Sequence, residues 1–300
     1  MASTISANQL LQWRQAQLQH GGRASALDWL LDLEGGLSWQ QLQQLRLRPQ
    51  APVALQVPLE RLEQLWQRHL HEQTPLQYLV GICPWRDLEL EVQPGVLIPR
   101  QETELLVDLA LEQIAAAGEP QAGWRWADLG TGSGCIAVAL ARAWPHSQGL
   151  AVDQSAEALV QARRNLSRYG LDSRVELLQG SWWQPLQAHW GQLQLVVANP
   201  PYIPTDVWRG LEAEVRDHEP AQALSSGADG LTAIRAIAAG ALQSLAPTGR
   251  LLLEHHHDQS AAVLSLLEQA GLEAVQAHRD LEGVLRFASA QAPAQAPAQP

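Results

Sequence analysis

From residue 99 onward the chain alternates short apolar runs with longer amphipathic stretches, and no other feature narrows its possible folds so far. Runs at 124–128, 150–153, 174–178, 193–198 and 250–254 read as strands, and the segments between them as helices. Strands separated by helices must run mostly parallel, because each connection crosses a face of the sheet. The pattern therefore specifies an α/β fold with a doubly wound, mostly parallel sheet. Residues 275–278 and 284–288, divided by a short polar segment, are expected to end that sheet as an antiparallel hairpin.

Upstream, residues 1–73 read as a small all-α bundle. Ser6, Ser25 and Ser38 each stand three residues before Gln9, Asp28 and Gln41, in the manner of capping boxes. Gly21-Gly22 and Gly35-Gly36 supply stops, and Pro58 opens a fourth helix reaching about His71. Residues 74–98 form a linker and a β-hairpin: Leu88, Leu90 and Val92 alternate with acids, and Gln93-Pro94-Gly95 turns the chain into Val96-Leu97-Ile98. The α/β domain then spans 99–289. The closing 290–300 is an Ala/Gln/Pro repeat, expected to be disordered because its composition cannot pack a core.

Composition excludes several classes. No apolar run approaches the ~20 residues that span a bilayer, and the N-terminal residues lack a secretory pattern. Two cysteines, Cys83 and Cys135, cannot build a disulfide framework, which fits a cytoplasmic setting. The net charge of −11 falls entirely in residues 75–300, where 14 arginines face 25 acids; lysine is absent. Duplex binding depends on neutralising phosphates, so this balance speaks against nucleic acid as the direct substrate. Twelve tryptophans against one phenylalanine indicate that Trp fills aromatic core positions.

Three elements carry chemistry. The first is Asp128-Leu129-Gly130-Thr131-Gly132-Ser133-Gly134, which follows an apolar strand and opens a helix, where open α/β sheets bind ligands. Cys135 stands where a dinucleotide fingerprint needs its last glycine. The G-x-G-x-G spacing instead suits the methionine part of S-adenosylmethionine. The second is Asp153, which closes the next strand and can accept both ribose hydroxyls; the competing role is a helix cap. The third, Asn199-Pro200-Pro201-Tyr202, follows the apolar run at 193–198.

An amino group conjugated to a carbonyl or ring is a poor nucleophile because its lone pair is delocalised. The Asn199 side-chain oxygen and the Pro200 carbonyl can accept hydrogen bonds from both of its N–H groups, and consecutive prolines hold these acceptors rigidly. Tyr202 offers an aromatic face to a planar substrate. Against a sulfonium methyl donor no charged base is needed, and alignment alone can contribute about 7–11 kcal/mol. His255-His256-His257 is read without a metal, since consecutive residues on an extended chain point to opposite faces. Glu102, Thr103 and Glu104 read as the cap of a helix.

Asn199 to Tyr202, together with Leu97-Ile98-Pro99-Arg100-Gln101-Glu102-Thr103-Glu104, resembles the bacterial release-factor glutamine methyltransferases, the HemK/PrmC family. The similarity continues through 75–81, Glu219-Pro220, Gly227, Asp229-Gly230 and 251–255, and so spans about residues 58–287. It implies a Rossmann-like class I methyltransferase fold behind a helical substrate-recognition domain. It also implies S-adenosylmethionine as cofactor and the glutamine of the Gly-Gly-Gln loop in class I peptide chain release factors as substrate. Gly130 to Gly134 and Asp153 would hold the cofactor, Trp182 would pack beside its adenine, and Asn199 would border cofactor and substrate alike. Pro200, Pro201 and Tyr202 would complete the substrate site, and Glu102, Thr103 and Glu104 would lie near the cofactor's methionine end rather than simply cap their helix. Ser181 stands where the family often has an acid, Trp183 competes with Trp182 for the adenine, and Cys83-Pro84-Trp85 replaces a usual Glu-Phe. The alternative is an N6-adenine methyltransferase acting on DNA or RNA, since a flipped adenine presents the same planar amine.

Overall fold

A computed structural model describes residues 3–118 and 123–294 of the chain, which divides into two units. The first takes in the chain up to Ile82 together with Ala213–His218, and the second holds Cys83–Glu212 and the chain from Glu219 onward. Elements are numbered in chain order.

The first unit contains β1 (Ser3–Ser6), α1 (Ala7–Gln19), α2 (Ala24–Leu33), α3 (Trp39–Leu45), β2 (Pro52–Leu55), α4 (Leu59–Glu72) and α5 (Leu76–Val80), with α10 (Ala213–Arg216). Ser6 and Ser38 cap α1 and α3 through full capping boxes. Ser25 does not cap: α2 begins at Ala24, before it. Asp28, which would have completed that box, is held instead by a two-pronged pair with Arg14 at 2.5 and 2.8 Å. The all-α expectation also needs correction, because β1 and β2 pair antiparallel, Ser3 opposite Leu55. Val53 and Leu55 turn inward and Pro52 and Ala54 outward, but four residues are too few to show that alternation in a sequence. Leu62, Leu65 and Trp66 carry the buried stripe of α4 into a core with Leu10, Leu27, Leu30 and Leu31.

In the second unit β3 (Ile82–Trp85) and β4 (Leu88–Glu91) form a two-stranded ribbon that turns at Arg86-Asp87. The expected hairpin, turning at 93–95 into a strand at 96–98, does not form. Its hydrogen bonds are spent elsewhere. The Glu91 N–H donates to Asn165 and its carbonyl accepts from Gln161 and Asn165, while the Ile98 N–H donates to Glu219 at 3.2 Å. Arg86 takes the left-handed conformation at the true turn, where its N–H donates to Glu104 and its guanidinium to Asp108.

Beyond α6 (Glu104–Ala117) come β5 (Arg125–Leu129), α7 (Cys135–Ala143), β6 (Gln148–Asp153), α8 (Ala156–Arg168), β7 (Val175–Gln179), β8 (Leu193–Ala198) and α9 (Thr205–Arg209). The series ends with α11 (Thr232–Ser244), β9 (Leu245–Glu254), α12 (Ser260–Gln269), β10 (Glu273–Arg279) and β11 (Leu285–Gln291). Seven strands join in the order β10-β11-β9-β8-β5-β6-β7. β5 to β9 run parallel, and β11 inserts antiparallel between β9 and β10, as the α/β reading expects.

Both faces are covered. Along β8, Leu195 and Val197 join the core under α6, α7 and α8, while Val196 and Ala198 join the core under α11 and α12. Burial on both sides is why β8 reads as an apolar run from Leu195 to Ala198. Five of the twelve tryptophans, Trp66, Trp85, Trp126, Trp144 and Trp183, are buried, while Trp39 and Trp190 are exposed, so the core reading holds for fewer than half. Trp126 donates to the Ser147 hydroxyl at 2.9 Å and fills the space a side chain at Gly149 would need. A Cβ there would stand 2.3 Å from the Trp126 ring. Gly149→Ala is therefore expected to cost about 1–3 kcal/mol of stability through overpacking, measurable by urea unfolding.

The disordered-tail expectation is wrong for its first residues. β11 continues to Gln291, pairing Ala290 with Leu251 and Gln291 with Arg250, and Ala290 and Ala292 are buried. The repeat enters the sheet because alternate alanines fit its inner face, which composition alone does not reveal. Residues 295–300 of that expected tail lie outside the described residues. Among the described residues, no helix is long and apolar enough to cross a membrane.

Candidate active site

The loop after β5 is shaped by three glycines in the left-handed region, at φ of 77° for Gly130, 55° for Gly132 and 81° for Gly134. Gly130 and Thr131 both donate their N–H to the Val152 carbonyl at 2.9 Å, which ties the loop to β6. Only Gly130 and Gly132 face the pocket. Thr131 turns its hydroxyl to Asp128 at 2.7 Å, the Ser133 carbonyl accepts from Asn165, and Gly134 lets α8 approach, with a Cβ there 3.1 Å from Ala162. Asp128 is fully buried, and burial pushes its pKa up to about 7.

Asp153, at the end of β6, accepts the Gly132 N–H on Oδ2 and the Ser155 N–H on Oδ1, both at 2.9 Å. It is not the cap of α8; Ser155 is, accepting from the Ala158 N–H. Burial raises the pKa of Asp153, and the backbone donors partly offset this. Each carboxylate oxygen keeps a further lone pair for a ligand hydroxyl. Trp182 lines the same pocket, whereas Trp183 is buried in the core and donates its indole N–H to the Ile237 carbonyl at 3.0 Å. The two tryptophans are thus assigned by position.

Gly130, Gly132, Asp153 and Trp182 line one pocket with Asn199 and Pro201. Glycines without Cβ, a carboxylate at a strand end and an indole ring close to Gly130 fit S-adenosylmethionine. Sequence reasoning missed further residues that line the pocket: Gly95 to Leu97, and Pro220, Gln222 and Ala223. Buried Glu219 clasps these segments, accepting from the Arg100 guanidinium at 2.7 Å and from the Ile98 N–H.

The loop after β8 is held on several sides. The Ile203 N–H donates to the Leu224 carbonyl and the Gln259 side chain donates to the Tyr202 carbonyl, both at 2.9 Å. Gly230, at φ 73°, comes so close to Tyr202 that a Cβ would stand 2.1 Å from its carbonyl oxygen. Asn199 donates its amide nitrogen to the Thr103 hydroxyl oxygen at 2.8 Å. Tyr202 and Pro200 do not line the pocket; Pro200 is buried, and the Tyr202 hydroxyl donates to Glu254 at 3.0 Å. Burial and the neighbouring Glu254 raise the Tyr202 pKa. Burial also pushes Glu254 up to about 7, against hydrogen bonds from Thr103 and Tyr202.

Thr103 does not cap α6 as expected, since its hydroxyl donates to Glu254 at 2.7 Å. The geometric reason given for the histidine run also fails beyond Glu254. The chain leaves the strand there, and His256, His257 and Asp258 bring ligand-type atoms within 4.8 Å of one another. His256 is hydrogen-bonded to Asp258 at 2.6 Å.

Residues 103–209 match the family model described as the methyltransferase small domain. A release factor glutamine methyltransferase of Prochlorococcus marinus is 50% identical over 289 residues, covering 96% of this chain and 98% of that protein. One from Gloeobacter violaceus is 44% identical over 280 residues, covering 92% of this chain and 94% of that protein. Among solved structures, the hMettl16 catalytic domain in complex with the MAT2A 3′UTR hairpin 6 superposes with a TM-score of 0.55 at 12% identity, covering 78% of this chain and 81% of that one. At that identity the likeness concerns the fold.

Proposed function

The chain belongs to the family of release factor glutamine methyltransferases, and from that premise we propose which of its residues perform the reaction. It methylates a glutamine of peptide chain release factors with S-adenosylmethionine as donor; the adenine alternative is not favoured. We read the target as the side-chain amide nitrogen of the Gly-Gly-Gln glutamine, and the setting as the cytoplasm, whose reducing conditions suit two free, buried cysteines.

One observation carries the assignment: Asn199 shares a pocket with Gly130, Gly132, Asp153 and Trp182, and its amide nitrogen is already committed to Thr103. Gly130 and Gly132 let backbone approach the cofactor, Asp153 takes its ribose hydroxyls, and Trp182 packs beside its adenine; Thr131, Ser133 and Gly134 set the loop's shape. When bound, the cofactor supplies an electrophilic methyl group on a sulfonium. Asn199 Oδ1 and the Pro200 carbonyl, which accept no hydrogen bond among the described residues, take the two N–H groups of the substrate amide. That draws the nitrogen lone pair out of conjugation. Pro201 walls the pocket, and Tyr202, which lies outside its lining and is fixed by Glu254, would border the amide plane only of a substrate that enters beside it. Labelled methyl transfer to purified release factor beside an adenine-containing oligonucleotide, with mapping of the modified residue, tests this reading; label on adenine would overturn it.

We assign substrate recognition to the first unit. Trp39 and Leu47 are 64% and 81% exposed there and offer apolar contact points to a protein substrate. Replacing both (Trp39→Ala, Leu47→Ser) should lower kcat/KM on intact release factor about 5–10-fold, the loss of one moderate contact hot spot. Turnover of a short Gly-Gly-Gln peptide should stay unchanged. Equal loss on both substrates would deny the unit this role.

A further inference from the structure

Thr103 stands at the head of α6, 2% exposed, with no capping bond, and joins two groups distant in sequence. Its hydroxyl donates to Glu254 Oε2 at 2.7 Å, and its oxygen accepts from Asn199 Nδ2 at 2.8 Å. The other oxygen of Glu254, a residue 1% exposed, accepts from the Tyr202 hydroxyl at 3.0 Å. A hydroxyl has one proton to give, and the Glu254 carboxyl has none once it is ionised, above about pH 7. The Thr103 proton therefore goes to Glu254, and what Thr103 offers Asn199 is a lone pair. An Asn199 amide turned end for end would set oxygen against oxygen and leave a buried acceptor unsatisfied, which is costly.

The chain of donation thus runs from Asn199 through Thr103 to Glu254 and leaves Oδ1 for the pocket. With the opposite orientation the NH₂ group would face a substrate that brings N–H donors of its own, donor against donor. We infer that Thr103 and Glu254 are positioning residues that fix which end of the Asn199 amide meets the substrate nitrogen. This rests on the acceptor role proposed for Asn199. Glu254 lies at the end of β9 and Thr103 ahead of α6, so two rigid elements hold one rotatable amide.

Single-turnover methylation by the full chain, with calorimetric affinity for S-adenosylmethionine measured in parallel, tests the inference. Thr103→Val keeps the shape and removes the lone pair; Glu254→Gln keeps the shape and lets the direction of donation reverse. Each should slow the chemical step about 10–100-fold, as loss of orientation does, with cofactor affinity held within about threefold. Thr103→Ser, which keeps the hydroxyl, should retain the rate within about threefold. In an Asn199→Ala background either shape-preserving change should cost less than about twofold more, because the group being oriented is gone. If both changes slow the Asn199→Ala enzyme as much as the native one, or leave the native chemical step untouched, the positioning role is overturned. Should Thr103→Val fail to fold, Glu254→Gln decides by the same cycle. An Asn199→Ala enzyme of native speed would instead defeat the acceptor assignment beneath it.

Discussion

Asn199→Ala is expected to slow single-turnover methyl transfer about 10²–10³-fold, the loss typical of one preorganised hydrogen-bonding group at a transition state. The substrate nitrogen reacts only as its lone pair leaves conjugation, and both N–H groups must then be held out of the amide plane. With alanine the Pro200 carbonyl remains but the side-chain acceptor is gone, and Thr103 loses its donor. Cofactor affinity should stay nearly unchanged, since the Gly130–Gly132 turn, Asp153 and Trp182 are untouched. Rapid-quench single turnovers separate chemistry from binding. A collapse of cofactor affinity with an unslowed chemical step would reassign Asn199 to the cofactor alone.

The second large effect belongs to Asp153. Asp153→Ala should weaken S-adenosylmethionine binding by about 1.5–3 kcal/mol, the range for hydrogen bonds to a charged acceptor. Two losses combine here: the ribose hydroxyls lose their acceptor, and the Gly132 N–H loses the carboxylate that sets the glycine turn. Titration calorimetry measures the sum. Asp153→Asn, which keeps one acceptor oxygen, should show a smaller loss. Because burial raises the Asp153 pKa, acidification should protonate it, and lower affinity, at a higher pH than a surface aspartate would require. Unchanged affinity in the alanine variant would leave Asp153 as a local brace of the loop.

Much of this site could be read before any coordinates. Glycines at 130, 132 and 134, an acid at 153 and Asn199 before two prolines are local signals, each a few residues long and placed at strand ends by the alternation of apolar runs. What stayed hidden depends on contacts between distant segments. Nothing near Thr103 announces that its partners are Asn199 and Glu254, so its place at a helix start invited a capping role. The pocket-lining segment at 95–97 looked like the turn and start of a return strand, because the apolar run Val96-Leu97-Ile98 follows Gln93-Pro94-Gly95. Only the capture of the Ile98 N–H by Glu219 and of Glu91 by α8 side chains shows why no ladder forms there. Trp182 and Trp183 are neighbours of identical type, and the left-handed backbone of Trp182, at φ 47°, is a tertiary outcome.

The insertion of β11 between β9 and β10 bears on how the protein is made. Phe287 pairs with Glu254 and Ala288 with Leu253, so the edge of the strand that carries the buried carboxylate is closed by residues more than thirty positions later. While a ribosome is still polymerising residues 255 to 285, β9 has its parallel neighbour β8 but no partner on its other side. An open apolar edge of this kind is a template for mispairing with another chain. The nascent protein should therefore acquire its cofactor site in two stages. The glycine turn and Asp153 can assemble once β5 to β8 have emerged, whereas the Thr103–Glu254–Asn199 frame becomes rigid only after residue 291 is free to join the sheet. Nascent chains stalled short of 285 are expected to engage holdase chaperones, and those stalled well past 291 to be released from them.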